Sequence, residues 1–155
     1  MGVKLIQVES AMDMLRAVKK EIKACDCLIM AAAVSDWRAR TLSKNKIKRK
    51  PGKMFLELAA NPDILFEARK TKKGVMTIGF ALETEKLEEN ALKKLQDKKL
   101  DFIIANKLSA KVRVFGDIPS DILIIDRFGN KEYLRRRKKH ELAKIILDKV
   151  SSFNI

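Results

Sequence analysis

The chain has 155 residues, of which 46% are hydrophobic and 35% charged, so it is long enough to form a domain with a hydrophobic core. No apolar stretch is long enough to span a bilayer, and no charged and then apolar leader opens the chain. We therefore expect a cytoplasmic protein without a membrane partner. The net charge of +14 indicates acidic partners.

Strands and helices are predicted to alternate through the first two thirds of the chain. Apolar runs and helical spacing predict strands over 3–8, 26–34, 53–59, 75–82 and 101–106, and helices over 9–24, 61–71 and 84–99. Ser10 is expected to cap the first helix in a capping box with Asp13, and Asn61 to cap the second helix ahead of Pro62. Such alternation is typical of a parallel α/β sheet.

The last third of the chain has a different pattern. Residues 121–135 are predicted to form a β-hairpin that turns at 127–130, and residues 138–150 a helix. We therefore predict one α/β domain over 1–155, with a mostly parallel sheet flanked by helices and a C-terminal β-hairpin and helix.

Two basic clusters hold most of the surplus positive charge. Residues 36–53 contain eight lysines or arginines and one acid, Asp36, and residues 135–139 are five consecutive basic residues. The first cluster directly follows a predicted strand. In open α/β sheets ligands bind at the carboxyl ends of the strands, so this cluster indicates an anion site there.

Small and charged residues at the predicted strand ends are candidates for that site. Ala31, Ala32 and Ala33 permit close approach to the backbone, and Asp36 can accept hydrogen bonds from a sugar or a base; tight packing under a helix and a simple turn explain the same residues equally well. Lys94 and Lys98 lie on one helix face and can bind a polyphosphate, or they can cover apolar surface with their ammonium groups in water.

Metal binding is not indicated, because Cys25, Cys27 and the single His140 have no partners at a metal-ligand spacing. The sequence also lacks the usual glycine-rich phosphate-binding motifs. A nucleotide would therefore have to be held by lysines and helix N-termini. The alternative partner for so basic a chain is nucleic acid. Aromatic residues make up only 6% and no recognition-helix pattern accompanies the charge, so a nucleic-acid-binding module is the second hypothesis.

Six segments read in order resemble phosphopantothenoylcysteine synthetase, the phosphopantothenate–cysteine ligase of coenzyme A biosynthesis. They are "AAAVSDWR", "KIKR", "NPDIL", "GFALETE", "LKKLQDKKLDFIIAN" and "KHELAKIILDKV", and they extend over nearly the whole chain. The resemblance implies a Rossmann-like fold and a reaction that joins 4'-phosphopantothenate to cysteine, using CTP and magnesium through an acyl-cytidylate. It also implies a homodimer, with the segment around Ala33 near the interface.

The resemblance also implies roles for particular residues. Nucleotide-binding positions are Met30, Ala31, Ala32, Asp36, Pro62, Asp63, Ile64, Leu65, Phe80, Lys94 and Lys98. Lys46 corresponds to the catalytic lysine of a mobile flap, here 36–53, which also contacts the nucleotide. The magnesium ligands are not specified.

One departure from the family pattern lies at the start of the chain. The family opens with a strand and a glycine-rich segment, and neither precedes "GVKLIQVE" here. We therefore expect a chain that lacks this segment and also the fused flavin decarboxylase domain, which would bind FMN. On that expectation the isolated chain is inactive or weakly active.

Overall fold

The computed structural model describes residues 2–43, 45–49, 51–107 and 118–153. The first strand of the main sheet is β1 (Cys27–Met30), which follows helix α1 (Ala11–Glu21) and a single 3₁₀ turn over Ile22–Ala24. Two short strands, β2 (Trp37–Ala39) and β3 (Leu58–Ala60), pair with each other in an antiparallel ribbon. The β2–β3 ribbon is separate from the main sheet.

The remaining elements complete the main sheet and its helices. They are α2 (Ile64–Thr71), β4 (Met76–Glu83), α3 (Leu87–Asp97), β5 (Phe102–Lys107), β6 (Ser120–Asp126), β7 (Lys131–Arg137) and α4 (Lys139–Ser152). The strand order is β1-β4-β5-β6-β7, with parallel pairing from β1 to β5 and antiparallel pairing of β6 with both neighbours. Four of the five strands therefore run in one direction, which confirms the predicted mostly parallel α/β sheet.

Alternation along the strands builds two apolar layers, one on each face of the sheet. Ile103 and Leu123 pack in a cluster with Leu15 of α1, Leu65 of α2 and Leu95 of α3. On the opposite face, the neighbouring residues Ile104 and Ile124 pack with Leu142 and Ile146 of α4. Successive strand residues point to opposite faces of the sheet. A sheet covered by helices on both faces therefore requires strands that are apolar at every position rather than at every second one.

Local sequence signals set several element ends as predicted. The Asp13 amide donates to Ser10 Oγ at 3.1 Å, and the Ser10 amide donates to Asp13 Oδ2 at 3.1 Å, which confirms the capping box. The hairpin turns over 127–130, where the amides of Phe128 and Asn130 each donate to Asp126 Oδ1 at 2.9 Å. Gly129 has φ +88°, a conformation that favours glycine.

Four predictions were wrong. Residues 3–8 form no strand, and the apolar run 26–34 is strand only as far as Met30, because a strand needs a neighbour to pair with. Residues 53–57 are not strand either, so β3 is short and lies in the ribbon. The α2 helix begins at Ile64 and its N-cap is Asp63, not Asn61, since the Phe66 amide donates to Asp63 Oδ1 at 3.1 Å.

Candidate functional site

A cleft of about 360 Å³ opens at the carboxyl ends of β1 and β4. Its walls come from the segment after β1, the turn before α2, the end of β4 and the C-terminal half of α3. Among its lining residues are ten predicted from the sequence: Met30, Ala32, Asp36, Pro62, Asp63, Ile64, Leu65, Phe80, Lys94 and Lys98. The fold therefore gathers residues from four separate segments around one cavity.

Two predicted residues are not part of the cleft lining. Ala31 is exposed beside it, between Met30 and Ala32. Lys46 is also exposed and lies in the loop that joins the two strands of the β2–β3 ribbon. None of the described residues of this loop lines the cleft, and the role of Lys46 stays a prediction.

Gly79 contributes to the floor of the cleft, although the sequence analysis did not select it. It pairs with Met30 on one side and with Ile103 on the other, and all three residues line the cavity. A Cβ atom at Gly79 would lie 2.6 Å from Leu100 Cδ1, closer than side chains approach. A glycine inside a strand pattern is a recognisable sign of such close approach.

Hydrogen bonds fix the wall that carries Asp36. The Asn61 backbone amide donates to the Asp36 carbonyl oxygen at 2.8 Å, and Asn61 Nδ2 donates to the Ser35 carbonyl oxygen at 2.8 Å. Asn61 thus joins the segment after β1 to the turn before α2, which explains why it does not cap the helix. The Asp36 side chain is exposed and lines the cleft.

The two cleft lysines are each paired with a carboxylate. Lys94 Nζ lies 2.6 Å from Glu83 Oε1, and Lys98 Nζ lies 2.9 Å from Asp63 Oδ2. Burial opposes ionisation of Asp63, but the Lys98 ammonium and the backbone amides of Phe66 and Leu65 outweigh it and hold the pKa of Asp63 below its ordinary value. Both lysine side chains therefore lie at the cleft wall, each beside a carboxylate.

The basic residues of the stretch 36–53 differ in their contacts. Arg38 donates to Asn61 Oδ1 at 3.1 Å, and Arg40 forms an ion pair with Glu57, so these arginines brace the ribbon. Lys46, Lys48 and Arg49 are exposed, whereas Lys44 and Lys50 lie outside the described residues. The second basic cluster, residues 135–139, is exposed at the end of β7 and the start of α4, away from the cleft lining.

No helix in the described ranges is both long and apolar enough to cross a membrane.

Comparison with known proteins places these features in a family context. The bifunctional coenzyme A biosynthesis protein CoaBC of Bacillus subtilis (strain 168) is 37% identical over 149 residues, which cover 96% of this chain and 37% of that protein. A protein named cysteine/cysteine sulfinic acid decarboxylase, from an unknown prokaryotic organism, is 38% identical over 149 residues, covering 96% of this chain and 42% of that protein. The chain thus spans about two fifths of the length of these relatives.

Solved structures and a family model agree with that similarity. The crystal structure of the C-terminal domain of a CoaBC protein superposes with a TM-score of 0.75 at 32% identity, covering 94% of this chain and 63% of that one. Residues 1–153 match the family model described as the DNA/pantothenate metabolism flavoprotein C-terminal domain. The chain therefore belongs to the family of the DNA/pantothenate metabolism flavoprotein C-terminal domain.

Proposed function

We propose that the chain is a phosphopantothenate–cysteine ligase domain that activates its acid substrate with CTP. The observation that carries this proposal is the cleft, in which Asp36, Lys94 and Lys98 converge on an apolar floor at the carboxyl edge of the parallel strands. A cavity of about 360 Å³ with a few polar groups has the size and character of a small-molecule site. Membership of the family supports the same reaction.

The cleft offers a separate surface to each part of a nucleotide. The backbone near Met30 and Ala32, the segment from Pro62 to Leu65, and Phe80 would enclose the cytosine. Asp36 would accept hydrogen bonds from the ribose, and the ammonium groups of Lys94 and Lys98 would bind the phosphates. These assignments are implied by the family resemblance, and the chemistry of each group is compatible with them, because carboxylates accept from hydroxyls and ammonium groups donate to anions.

The proposed reaction has two steps. In the first, the carboxylate of 4'-phosphopantothenate attacks the α-phosphorus of CTP, forming an acyl-cytidylate and releasing pyrophosphate. In the second, the amine of cysteine attacks the acyl carbon, an amide bond forms, and CMP leaves with its electron pair. Lysines near the phosphates stabilise the charge that develops in the first step, which lowers the barrier only if they bind the transition state more strongly than the substrates.

Magnesium would accompany the nucleotide. No group of three or more histidine, cysteine, aspartate or glutamate side chains comes together within the ranges that the structure describes. This fits Mg²⁺, which commonly binds through one or two carboxylates and the substrate phosphates rather than in a protein cage. The ion would neutralise phosphate charge.

Lys46 is proposed to reach the reacting groups when the loop between β2 and β3 closes over the cleft. Its ammonium is exposed and lies outside the cavity lining, so a movement of the loop is needed to bring it there. Closure would also keep water from the acyl-cytidylate, which is readily hydrolysed. The charge of this loop supports a role beside phosphate and carboxylate groups.

Two kinds of partner are also proposed. The relatives include bifunctional proteins much longer than this chain, which supports cooperation with a flavin-dependent decarboxylase domain that holds FMN. Exposed apolar side chains on the β2–β3 ribbon and its loop, including Trp37, Phe55 and Leu58, support a homodimer that covers them. Analytical ultracentrifugation tests the dimer, and a monomer at micromolar concentration would contradict it.

Titration of the chain with CTP, ATP and a short DNA duplex at two salt concentrations tests the nucleotide site. We expect binding of CTP in preference to ATP, with modest salt dependence. A nucleic-acid-binding module would instead prefer the duplex and lose affinity steeply as salt rises. That outcome, or the absence of CTP binding, would contradict the proposed function.

A further inference from the structure

We propose that Glu83 is a positioning residue, whose carboxylate holds the Lys94 ammonium in place for the nucleotide phosphates. Glu83 was not selected from the sequence and does not itself line the cleft, whereas Lys94 does. The inference rests on the proposed function, because it concerns how the same cleft recognises a polyphosphate.

The geometry of Glu83 is that of an anchored group. It is the last residue of β4, its side chain is 12% exposed, and its Oε1 lies 2.6 Å from Lys94 Nζ. Its second oxygen, Oε2, accepts from Asn90 Nδ2 at 3.1 Å, and the same Asn90 amide donates to the Glu85 carbonyl oxygen at 3.0 Å. Both carboxylate oxygens are therefore engaged, and Asn90 ties the carboxylate to the turn between β4 and α3.

This anchoring matters because of the nature of a lysine side chain. A free lysine has a long flexible stem, and ordering it on a ligand lowers the affinity gained from the contact. An ammonium group has three donors, of which Glu83 needs only one, so two remain for phosphate oxygens. A lysine held in advance by a fixed carboxylate is therefore preorganised for binding.

The pair between Lys98 and Asp63 provides a contrast within the same cleft. The Asp63 side chain is 37% exposed, compared with 12% for Glu83, and its Oδ1 is used to cap α2. Lys98 is therefore bound to a more solvated partner than Lys94 is. Of the two lysines, Lys94 is the one paired with the less exposed carboxylate.

A competing explanation is that Glu83 only competes with phosphate for Lys94. The two explanations predict opposite signs of coupling between the residues. If Glu83 positions Lys94, the lysine contributes less to CTP affinity once Glu83 is replaced. If Glu83 competes with the phosphates, the lysine contributes more.

The test is a double-mutant cycle in CTP affinity, measured by calorimetry on the parent protein, Glu83→Gln, Lys94→Gln and the double variant. Lys94→Gln should weaken CTP binding about tenfold in the parent, as expected for loss of a charge-assisted hydrogen bond, and about twofold or less in the Glu83→Gln background. An equal or larger loss in that background would overturn the proposal. Glutamine keeps the shape and can still accept from Asn90, and thermal melting verifies that the variant folds.

Two further variants make the test specific. Glu89→Gln removes the same charge from α3, the helix that carries Lys94, but Glu89 forms an ion pair with Lys86 in which the side chains are 70% and 69% exposed and outside the cleft lining. The Lys94→Gln loss should remain about tenfold there, and a loss as small as in Glu83→Gln would overturn the positioning role. Should Glu83→Gln not fold, Asn90→Ala replaces it in the cycle, because it frees the carboxylate without removing it, and the same reduced Lys94 contribution is expected.

The experiment separates this inference from the proposed function. A parent protein that does not bind CTP would remove the proposed function and this inference with it. CTP binding by the parent with an undiminished Lys94 contribution in Glu83→Gln would overturn the inference alone. In the free protein, the Lys94 ammonium should exchange its protons more slowly than the exposed Lys93 in ¹⁵N NMR spectra, and equal exchange would contradict the anchoring.

Discussion

Replacing Asp101 by alanine is expected to destabilise the fold by about 2–4 kcal/mol, because this carboxylate joins β4, β5 and the C-terminal hairpin. Asp101 Oδ2 accepts from the Thr77 backbone amide at 2.8 Å and from Thr77 Oγ1 at 3.2 Å. Its Oδ1 accepts from Arg127 at 3.0 Å. Thr77 is fully buried, so solvent cannot replace the lost acceptor.

The magnitude is the sum of two parts. A buried backbone amide left without an acceptor costs roughly 1–3 kcal/mol. The pair with Arg127 is partly solvated, with the Asp101 side chain 13% and the Arg127 side chain 37% exposed, so it adds about 1 kcal/mol and brings the total to about 2–4 kcal/mol. Asp101→Asn keeps an oxygen that can accept from the Thr77 amide, so this variant should lose only about 1 kcal/mol of unfolding free energy.

Urea unfolding followed by circular dichroism measures both variants. With a denaturant dependence of about 2 kcal/mol per molar, Asp101→Ala should lower the midpoint by roughly 1–2 M. The matched control is Glu57→Ala, which removes an ion pair with Arg40 in which both side chains are about two thirds exposed, and it should cost less than about 0.5 kcal/mol. An alanine variant at Asp101 as stable as this control would refute the reasoning.

Four other predictions concern the cleft and the basic loop. Asp36→Asn should weaken CTP binding by roughly 1–3 kcal/mol with an unchanged melting temperature, and equal CTP affinity in titrations would remove Asp36 from the site. Lys98→Gln should weaken CTP binding much more than cytidine binding, and equal losses for the two ligands would show that Lys98 does not contact phosphate. In a protein that also carries the family's N-terminal glycine-rich segment, Lys46→Gln should slow acyl-cytidylate formation in rapid-quench assays about tenfold or more without a change in stability, whereas a parental rate would leave 36–53 as a solvated basic loop. Asp63→Asn keeps a capping oxygen but should be less stable than the parent above pH 3.8, the ordinary pKa of an aspartate, because the pKa of Asp63 is lowered in the folded state. The difference in stability should disappear as the pH falls from 3.8 through the lowered pKa of folded Asp63. A difference that persists in acid would contradict this origin.

Elements that depend on local signals could be predicted from the amino-acid sequence. Ser10 and Asp13 mark a helix start because their side chains reach amides only three residues away. Asp126 and Gly129 mark the hairpin turn for the same reason. Apolar runs predicted the strands β4, β5 and β6, and their alternation with helical segments predicted a mostly parallel sheet flanked by helices.

The resemblance in short motifs identified most of the cleft, since Asp36, Phe80, Lys94 and Lys98 stand in segments whose order is recognisable along the chain. The same approach passed over Gly79 and Glu83. Their importance depends on what lies opposite them: Leu100 against the glycine and Lys94 against the glutamate. Neither contact can be recognised from the spacing of residues along the sequence.

Where two local conformations were both favourable, contacts between distant segments of the folded chain selected one of them. Asn61 and Asp63 are both good helix caps, and Asp63 takes that role because Asn61 is engaged with Ser35 and Asp36. The apolar residues 3–8 form no strand and residues 31–34 leave the sheet, because strand structure requires a partner backbone that propensity cannot supply. Pairing between distant segments is a property of the folded chain, and so is the cleft that it creates.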